Sequence, residues 1–364
     1  MNKTKMNFNN GGHVQDPVLD QYMQTNTQLN IGAMRPYIDH DGTPCMAVYK
    51  GGDPNKPENY MVKPVNNATL RRDEWKTLDE SVKRVARERL TGVQDLIDNG
   101  LVFDLNNAMG TTVLEYHDVD DSLEAEMSMD GISRSNNDRP NFGTNYLPIP
   151  IIHVDYQLNL RALSASRNMG NPLDTTLAEN AARRVLEKRE SLLFTDTKYN
   201  FSGGTIYSYL NHPDRNQVTL SANWDELSAT STQSIGEQIV DDVISMKQSL
   251  IAKNQFGPYV VYIPQNYETV MDKDYDTTRG NTIRSRIEAL ENVQKVKVVD
   301  KLPDDNVLMV QMTSETVRLV RGLDIQNVEW KSEGNFVTNY KVMAIQVPQI
   351  RSDQNGNCGV AHLA

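Results

Sequence analysis

The sequence predicts an α+β protein of more than one domain. Three observations carry this. Residues 171–195 hold the longest clean helical periodicity. A strand–helix–strand alternation over about 201–312 reads as a compact α/β block. The segments of 314–347 read as strands with turn signals between them, which suits an antiparallel set. The 364 residues allow about two domains by length. With 38% apolar and 23% charged residues, the chain is too hydrophobic for wholesale disorder.

Residues 1–69 are rich in Asn, Gln, Gly and Pro, as in NNGG, HDGTP and KGGDPNKPEN, and turn formers interrupt every long element. A floppy leader is one reading. The other is an irregular arm laid along a surface, because Tyr22, Leu29, Ile31, Met34, Tyr37, Ile38, Met46, Val48 and Tyr49 recur through it. The stretch 73–90 predicts a helix. Trp75, Leu78, Val82, Val85 and Leu90 share one face, Asp79–Lys83 and Glu80–Arg84 are favourable i,i+4 pairs, and Gly92 ends or interrupts it.

From 111 the period changes to two. Leu123, Ala125 and Met127 alternate with Glu124 and Glu126, and Asp130-Gly131 supplies a turn signal. Val154, Tyr156, Leu158, Leu160 and Ala162 alternate in the same way, with the polar SRSNNDRPNFGTN between the two runs. Together they predict a long two-stranded ribbon over 111–162. Such a ribbon is marginal alone and must lean on the body of the fold or on another chain. In the helix at 171–195, Asn171 caps, Pro172 takes the first helical position, and 173, 177, 181, 185 and 192 form the apolar stripe. That length corresponds to roughly 37 Å at 1.5 Å per residue. The α/β block contains a helix at 233–252, a buried strand PYVVYIP at 258–264, and strands at 293–300 and 306–312. The closing strands are ETVRLVRG, IQNVEWKS and FVTNYKVMAIQVP, with Gly322 and Gly334 as turn signals. Residues 351–364 read as a tail.

The search for chemistry returns little. Lysine and arginine total 37 against 48 acidic residues, a net charge of −11, which argues against sequence-independent nucleic-acid binding as the default. The basic clusters are interleaved with acids on helices and read as salt-bridged faces. No phosphate loop, dinucleotide fingerprint, zinc-protease motif or nucleophile elbow occurs. His117 with Asp118, Asp120 and Asp121 reads as a solvated acidic turn, lacking the glycine and final glutamate of a calcium loop. Cys358 and His362 lie in the expected tail, a poor place to hold a catalytic base. Cys45 and Cys358 are too few for a disulfide framework, although a single bridge between them stays open. The first residues lack the apolar run of a signal peptide, and no stretch approaches the ~20 apolar residues of a membrane span. No enzyme activity, cofactor or metal site is expected, and no membrane association.

The order of segments carries a resemblance. LPIPIIHVDYQLNLRALSASRNMGNPLDTTLAENAARRVLEKRESLLF closely resembles the encapsulin shell proteins and, through them, the major capsid proteins of tailed bacteriophages. LRRDEWKTLDE, IYSYLNHP and GPYVVYIPQNY support it, and the likeness spans about 70–350. It implies an extended N-terminal arm (1–69), an N-terminal helix and the start of a peripheral domain (70–110), and an extended β-ribbon loop (111–162). It further implies a long spine helix within the peripheral domain (163–200), an α/β axial domain (201–312), closing peripheral strands (313–350) and a C-terminal tail (351–364).

The implied function is a structural protein that self-assembles into an icosahedral shell. The expected form is a phage major capsid protein enclosing double-stranded DNA, in a virion assembled in the bacterial host cytoplasm. Its partners would be copies of itself in pentamers and hexamers, a portal, decoration proteins, and DNA contacted without sequence specificity. The alternative is an encapsulin nanocompartment enclosing a cargo enzyme. The capsid is preferred because cellular encapsulins begin near the helix at 73–90, whereas about 70 residues precede it here. Interface residues are expected at Tyr22, Tyr37, Tyr49, Trp75, Leu123, Met127, Arg139, Phe142 and Tyr146. Ordinary packing within the subunit is the alternative for each.

Overall fold

The computed structural model describes residues 6–7, 13–14, 35–51, 53, 56–65, 70–85, 90–119, 142–168, 175–220, 222–227, 234–275, 280–331, 337–353 and 355–364. Met6–Asn7 (β1) pairs antiparallel with His13–Val14 (β2). Tyr37–Ile38 (β3), Pro44–Tyr49 (β4) and Tyr60–Pro64 (β5) form a three-stranded antiparallel sheet. This corrects the expected irregular arm over 37–64. The sheet is seated on its own subunit, with Met46 of β4 buried in one apolar cluster with Ala108, Leu147 and Ile345. Just before it, Arg35 pairs with Asp79 at 2.7 Å.

Arg72–Val85 (α1) buries Trp75, Leu78 and Val82, as the periodicity required. A second helix follows, Thr91–Asp98 (α2), and Gly92 lies inside it rather than ending the first. The reason is packing. A Cβ on Gly92 would run into the Phe194 ring, so glycine lets α2 approach closely.

Val102–Asp104 (β6) leads to the ribbon, Val113–Val119 (β7) paired antiparallel with Phe142–Pro148 (β8). The ribbon is therefore real, but its predicted second half is not part of it. Ile152–Asn159 (β9) pairs elsewhere, and Leu160 and Ala162 belong to a helix, Leu160–Asn168 (α3). The switch has a local cause: the Asn159 Oδ1 accepts the Arg161 N–H at 2.8 Å, capping α3. The long helix is Thr176–Phe194 (α4), 19 residues, or about 28 Å at 1.5 Å per residue. The expected caps Asn171 and Pro172 lie outside the described residues. Leu177 leaves the predicted stripe and is 47% exposed. Ala181, Val185 and Leu192 of that stripe are buried, and Ala178 and Ala182 join them, small enough to lay the helix close against its sheet.

That sheet has the order β6-β16-β17-β9, where β16 is Val317–Lys331 and β17 is Val337–Ile350. Tyr156 of β9 faces Tyr340 of β17 and stacks on it at 5.2 Å. Gly322 does not turn the chain. It lies inside β16 where the register shifts, and a Cβ there would collide with Ala108. The first two predicted closing strands are therefore one strand with a bulge.

The second large sheet has the order β12-β18-β15-β13-β14. Its approach is a hairpin of Tyr199–Phe201 (β10) and Gly204–Ile206 (β11). Asn216–Val218 (β12) forms one edge. Ile235–Ile251 (α5) begins with a capping box between Ser234 and Glu237. Tyr259–Ile263 (β13) is wholly buried. Glu268–Met271 (α6) and Ile283–Glu288 (α7) precede Val293–Val298 (β14) and Val307–Gln311 (β15). The last strand is Val360–Leu363 (β18), every residue buried, between β12 and β15. The expected tail thus gives way to a core strand. Asp353 turns the chain into it by accepting the Asn357 N–H at 2.7 Å and its side-chain amide at 2.6 Å. One apolar cluster contains residues of α2, α4, β13, β15, β16 and β18, so both large sheets share a core.

Candidate assembly surfaces

Two short excursions carry exposed aromatic side chains. The β10–β11 hairpin turns through Ser202 (φ 49°) and Gly203 (φ 81°). It lies against β8, where a Cβ on Gly204 would clash with the Tyr146 carbonyl and sit 2.9 Å from Pro148 Cδ. Every residue of β10 is exposed. Tyr199 and Phe201, two apart on a strand, project from one face. They are 44% and 48% exposed, and Tyr146 on the neighbouring strand is 44% exposed. Aromatics gathered on projecting hairpins differ from the scattered apolar residues of an ordinary soluble surface.

Of the predicted interface residues, Trp75 lies in the subunit core. It donates to the Pro36 carbonyl at 3.0 Å, meets Tyr340 edge-on at 5.9 Å, and has the Arg35 guanidinium 4.7 Å above its ring. Tyr37 is half-buried, with the Arg72 guanidinium 5.5 Å from its ring. Tyr49 packs on Tyr60 at 5.6 Å. Trp75 and the Tyr37–Arg72 contact fasten the small sheet to α1, and Tyr49 packs within the sheet. Tyr146 remains exposed, and Phe142 is the register partner of Val119 at the far end of the described ribbon. Tyr22, Leu123, Met127 and Arg139 lie outside the described residues. Tyr199 and Phe201 are exposed and were not among the expected interface residues. The available signal was the Gly203-Gly204 pair, a hairpin turn directly after two aromatics spaced by two.

The interior polar groups are structural in geometry. Glu190 accepts two backbone N–H groups of α2, and burial pushes its carboxyl above the ordinary range. Asp95 accepts the Tyr262 hydroxyl at 2.8 Å and pairs with Lys297, and burial raises it too. Cys358 and His362 do not form a reactive pair. Burial pushes the Cys358 thiol up to about 12, and both His362 nitrogens are engaged by Asn306 and Arg215. Both cysteines are free and buried. Among the described residues no group of three or more His, Cys, Asp or Glu is arranged to hold a metal ion. None of their helices is long and apolar enough to cross a membrane.

Comparison with known proteins gives the fold a context. The type 1 encapsulin shell protein EncA of Myxococcus xanthus (strain DK1622) is 25% identical over 215 residues. The match covers 57% of this chain and 66% of the relative, so it spans just under two thirds of that protein's length. The virus-like particle from Pyrococcus furiosus superposes with a TM-score of 0.53 at 16% identity, covering 78% of this chain and 98% of that one. The capsid of Myoviridae phage XM1 gives 0.55 at 10% identity over 75% and 91% of the two chains. The capsid of the native GTA particle gives 0.53 at 11% identity over 86% and 94%. The α+β architecture is that of the capsid and encapsulin shell proteins. Residues 65–363 match the model of a family of unknown function, DUF6260, and the chain belongs to that family.

Proposed function

We propose that this protein is the subunit of a self-assembling icosahedral shell. The β7–β8 ribbon carries the reading. Its strands pair only with each other among the described residues, and although Leu114, Tyr116 and Leu147 at its base pack on the subunit's own core, a two-stranded ribbon gains little stability beyond that base. Contacts with adjacent copies would supply what it lacks. A closed shell asks each subunit to meet several neighbours through different surfaces, and a body that carries exposed aromatics on adjoining hairpins suits that. On this reading α4 is the spine of a peripheral domain built on the four-stranded sheet. The five-stranded sheet and its helices are the axial domain, which then also includes β18. Tyr146, Tyr199 and Phe201 become interface residues.

The contents divide the reading in two. The encapsulin relative supports a nanocompartment enclosing a cargo enzyme, and this is the version we favour. A phage capsid enclosing double-stranded DNA, with a portal and decoration proteins, is the second version. It is supported by the residues that precede the family match, including the whole β3–β5 sheet. Particles isolated from the native source separate them: a co-purifying protein supports the compartment, and nuclease-protected DNA supports the capsid.

Replacing residues 120–141 by an Asn-Gly turn tests the ribbon. The variant should keep the circular dichroism spectrum of the parent and fail to form particles in sedimentation. Normal particles from the variant would remove the segment between the ribbon strands from the assembly role.

A further inference from the structure

Strand β18 is held by β15 on one side and by β12 on the other, the latter over three paired residues extended by backbone bonds of Val218 and Leu220 with Ala364 and by the Asn216 amide donating to the Cys358 carbonyl at 2.8 Å. Two buried histidines stand at this junction. The His362 Nε2–H donates to Asn306 Oδ1 at 2.7 Å, and its Nδ1 accepts the Arg215 Nε–H at 3.3 Å. The Arg215 bond requires a bare Nδ1, so the ring is the neutral Nε2–H tautomer. His212 is arranged alike. Its Nδ1 accepts the Asp214 N–H at 3.3 Å, and its carbonyl accepts the Arg215 Nη1–H at 3.0 Å.

Few charges can offset a proton here. Arg215 faces both histidines. Asp214 is the carboxylate beside His212, and the Ser352 hydroxyl donates to it at 2.6 Å. The Tyr207 ring meets His212 edge-on at 5.4 Å. Behind the strand, Asp353 is occupied by Asn357, and Cys358 is buried and neutral. A proton on either Nδ1 would remove an acceptor, set N–H against N–H, and add positive charge beside a guanidinium.

We propose that His362, His212 and Arg215 form an acid-sensitive clasp that holds the edge strand β12 on β18. Protonation releases β12 and the turn before it while the rest of the sheet stays folded. The opened state leaves one edge of β18 unpaired, a row of free backbone groups able to accept another strand. The inference does not depend on the shell reading.

Burial, with the Arg215 charge, pushes both imidazoles from 6.5 down to about 4. Between those values the closed clasp binds fewer protons than the open one. Its stability is therefore complete above 6.5 and is lost as pH falls toward 4.

Hydrogen–deuterium exchange of the full chain, corrected for intrinsic rates, tests the clasp. From about pH 7.5 to about pH 4.5, protection at 216–218 and at Ala364, whose N–H donates to the Val218 carbonyl, should fall about tenfold or more, while 259–263 stays unchanged. The double variant His212→Gln/His362→Gln keeps neutral donors and acceptors and should abolish the change. In Arg215→Gln, exchange of the histidine C2 protons should report both imidazoles rising toward their ordinary range. Equal loss of protection in all strands, the same response in the double variant, or unmoved histidines in Arg215→Gln would each overturn the clasp.

Discussion

Glu190 and Gly92 lock the long helix to the short one. The Glu190 Oε1 accepts the Gly92 N–H at 2.8 Å, and Oε2 accepts the Val93 N–H at 3.2 Å. These are first-turn amides of α2, which have no partner within the helix. The approach works because residue 92 has no side chain, since a Cβ would sit 3.1 Å from Glu190 Oε1 and overlap the Phe194 ring. Gly92→Ala should therefore overpack this junction and cost about 1–3 kcal/mol. Urea unfolding checks it, and an unchanged midpoint would contradict the packing account.

The same carboxylate predicts a pH effect. Burial raises Glu190 above 4.5, although the two backbone amides and Arg189 favour its charged form. The folded state then holds a proton that the unfolded state has released. The contribution of Glu190 to stability is greatest at acid pH and declines as pH rises from 4.5 through the raised value. Glu190→Gln has no such decline. Its stability relative to the parent should shift in favour of the variant as pH rises through that window. Urea midpoints measured at several pH values read the slope, and the opposite sign is the adverse result.

Trp75 secures the small N-terminal sheet. Trp75→Ala removes the hydrogen bond to Pro36, the Tyr340 contact and the platform under Arg35. The loss should be about 3–5 kcal/mol. It should be accompanied by faster proteolysis within 35–65 than within 259–311. Cleavage spread evenly over both regions would mean that Trp75 supports the whole fold and not this sheet in particular.

Cys358 is fully buried, and its thiol is pushed up to about 12. The thiolate is the nucleophile, so alkylation of native protein at mildly alkaline pH should be negligible at this position. Labelling should appear only when β18 opens, and should follow the urea transition. Peptide mapping after iodoacetamide treatment distinguishes it from Cys45, and prompt labelling of Cys358 in buffer would refute the burial.

Elements with strong periodicity were legible in the sequence. Trp75, Leu78 and Val82 marked α1, Ile235, Ile239, Val243, Met246 and Leu250 at helical spacing marked α5, and the unbroken apolar run at 259–263 marked a buried strand. The errors have physical causes. Gly322 reads locally as a turn, but its role is to let Ala108 pack against a continuous strand. Leu160 and Ala162 continue an alternating pattern that Asn159 cuts short by capping a helix. The four residues of β18 are too few for periodicity to register, and only the neighbouring strands make them core. Tyr146, expected at an interface through the ribbon, is exposed on β8. Trp75 was offered as an interface residue because a sequence does not reveal which side of the chain an aromatic will meet.

The broadest test is electron microscopy of the purified full-length protein, with its mass distribution measured in parallel. Closed particles of uniform diameter, built from many copies and bearing the ribbons at subunit contacts, are the expected result. A monodisperse monomer at high concentration, with Tyr146, Tyr199 and Phe201 open to solvent, would contradict the shell assignment.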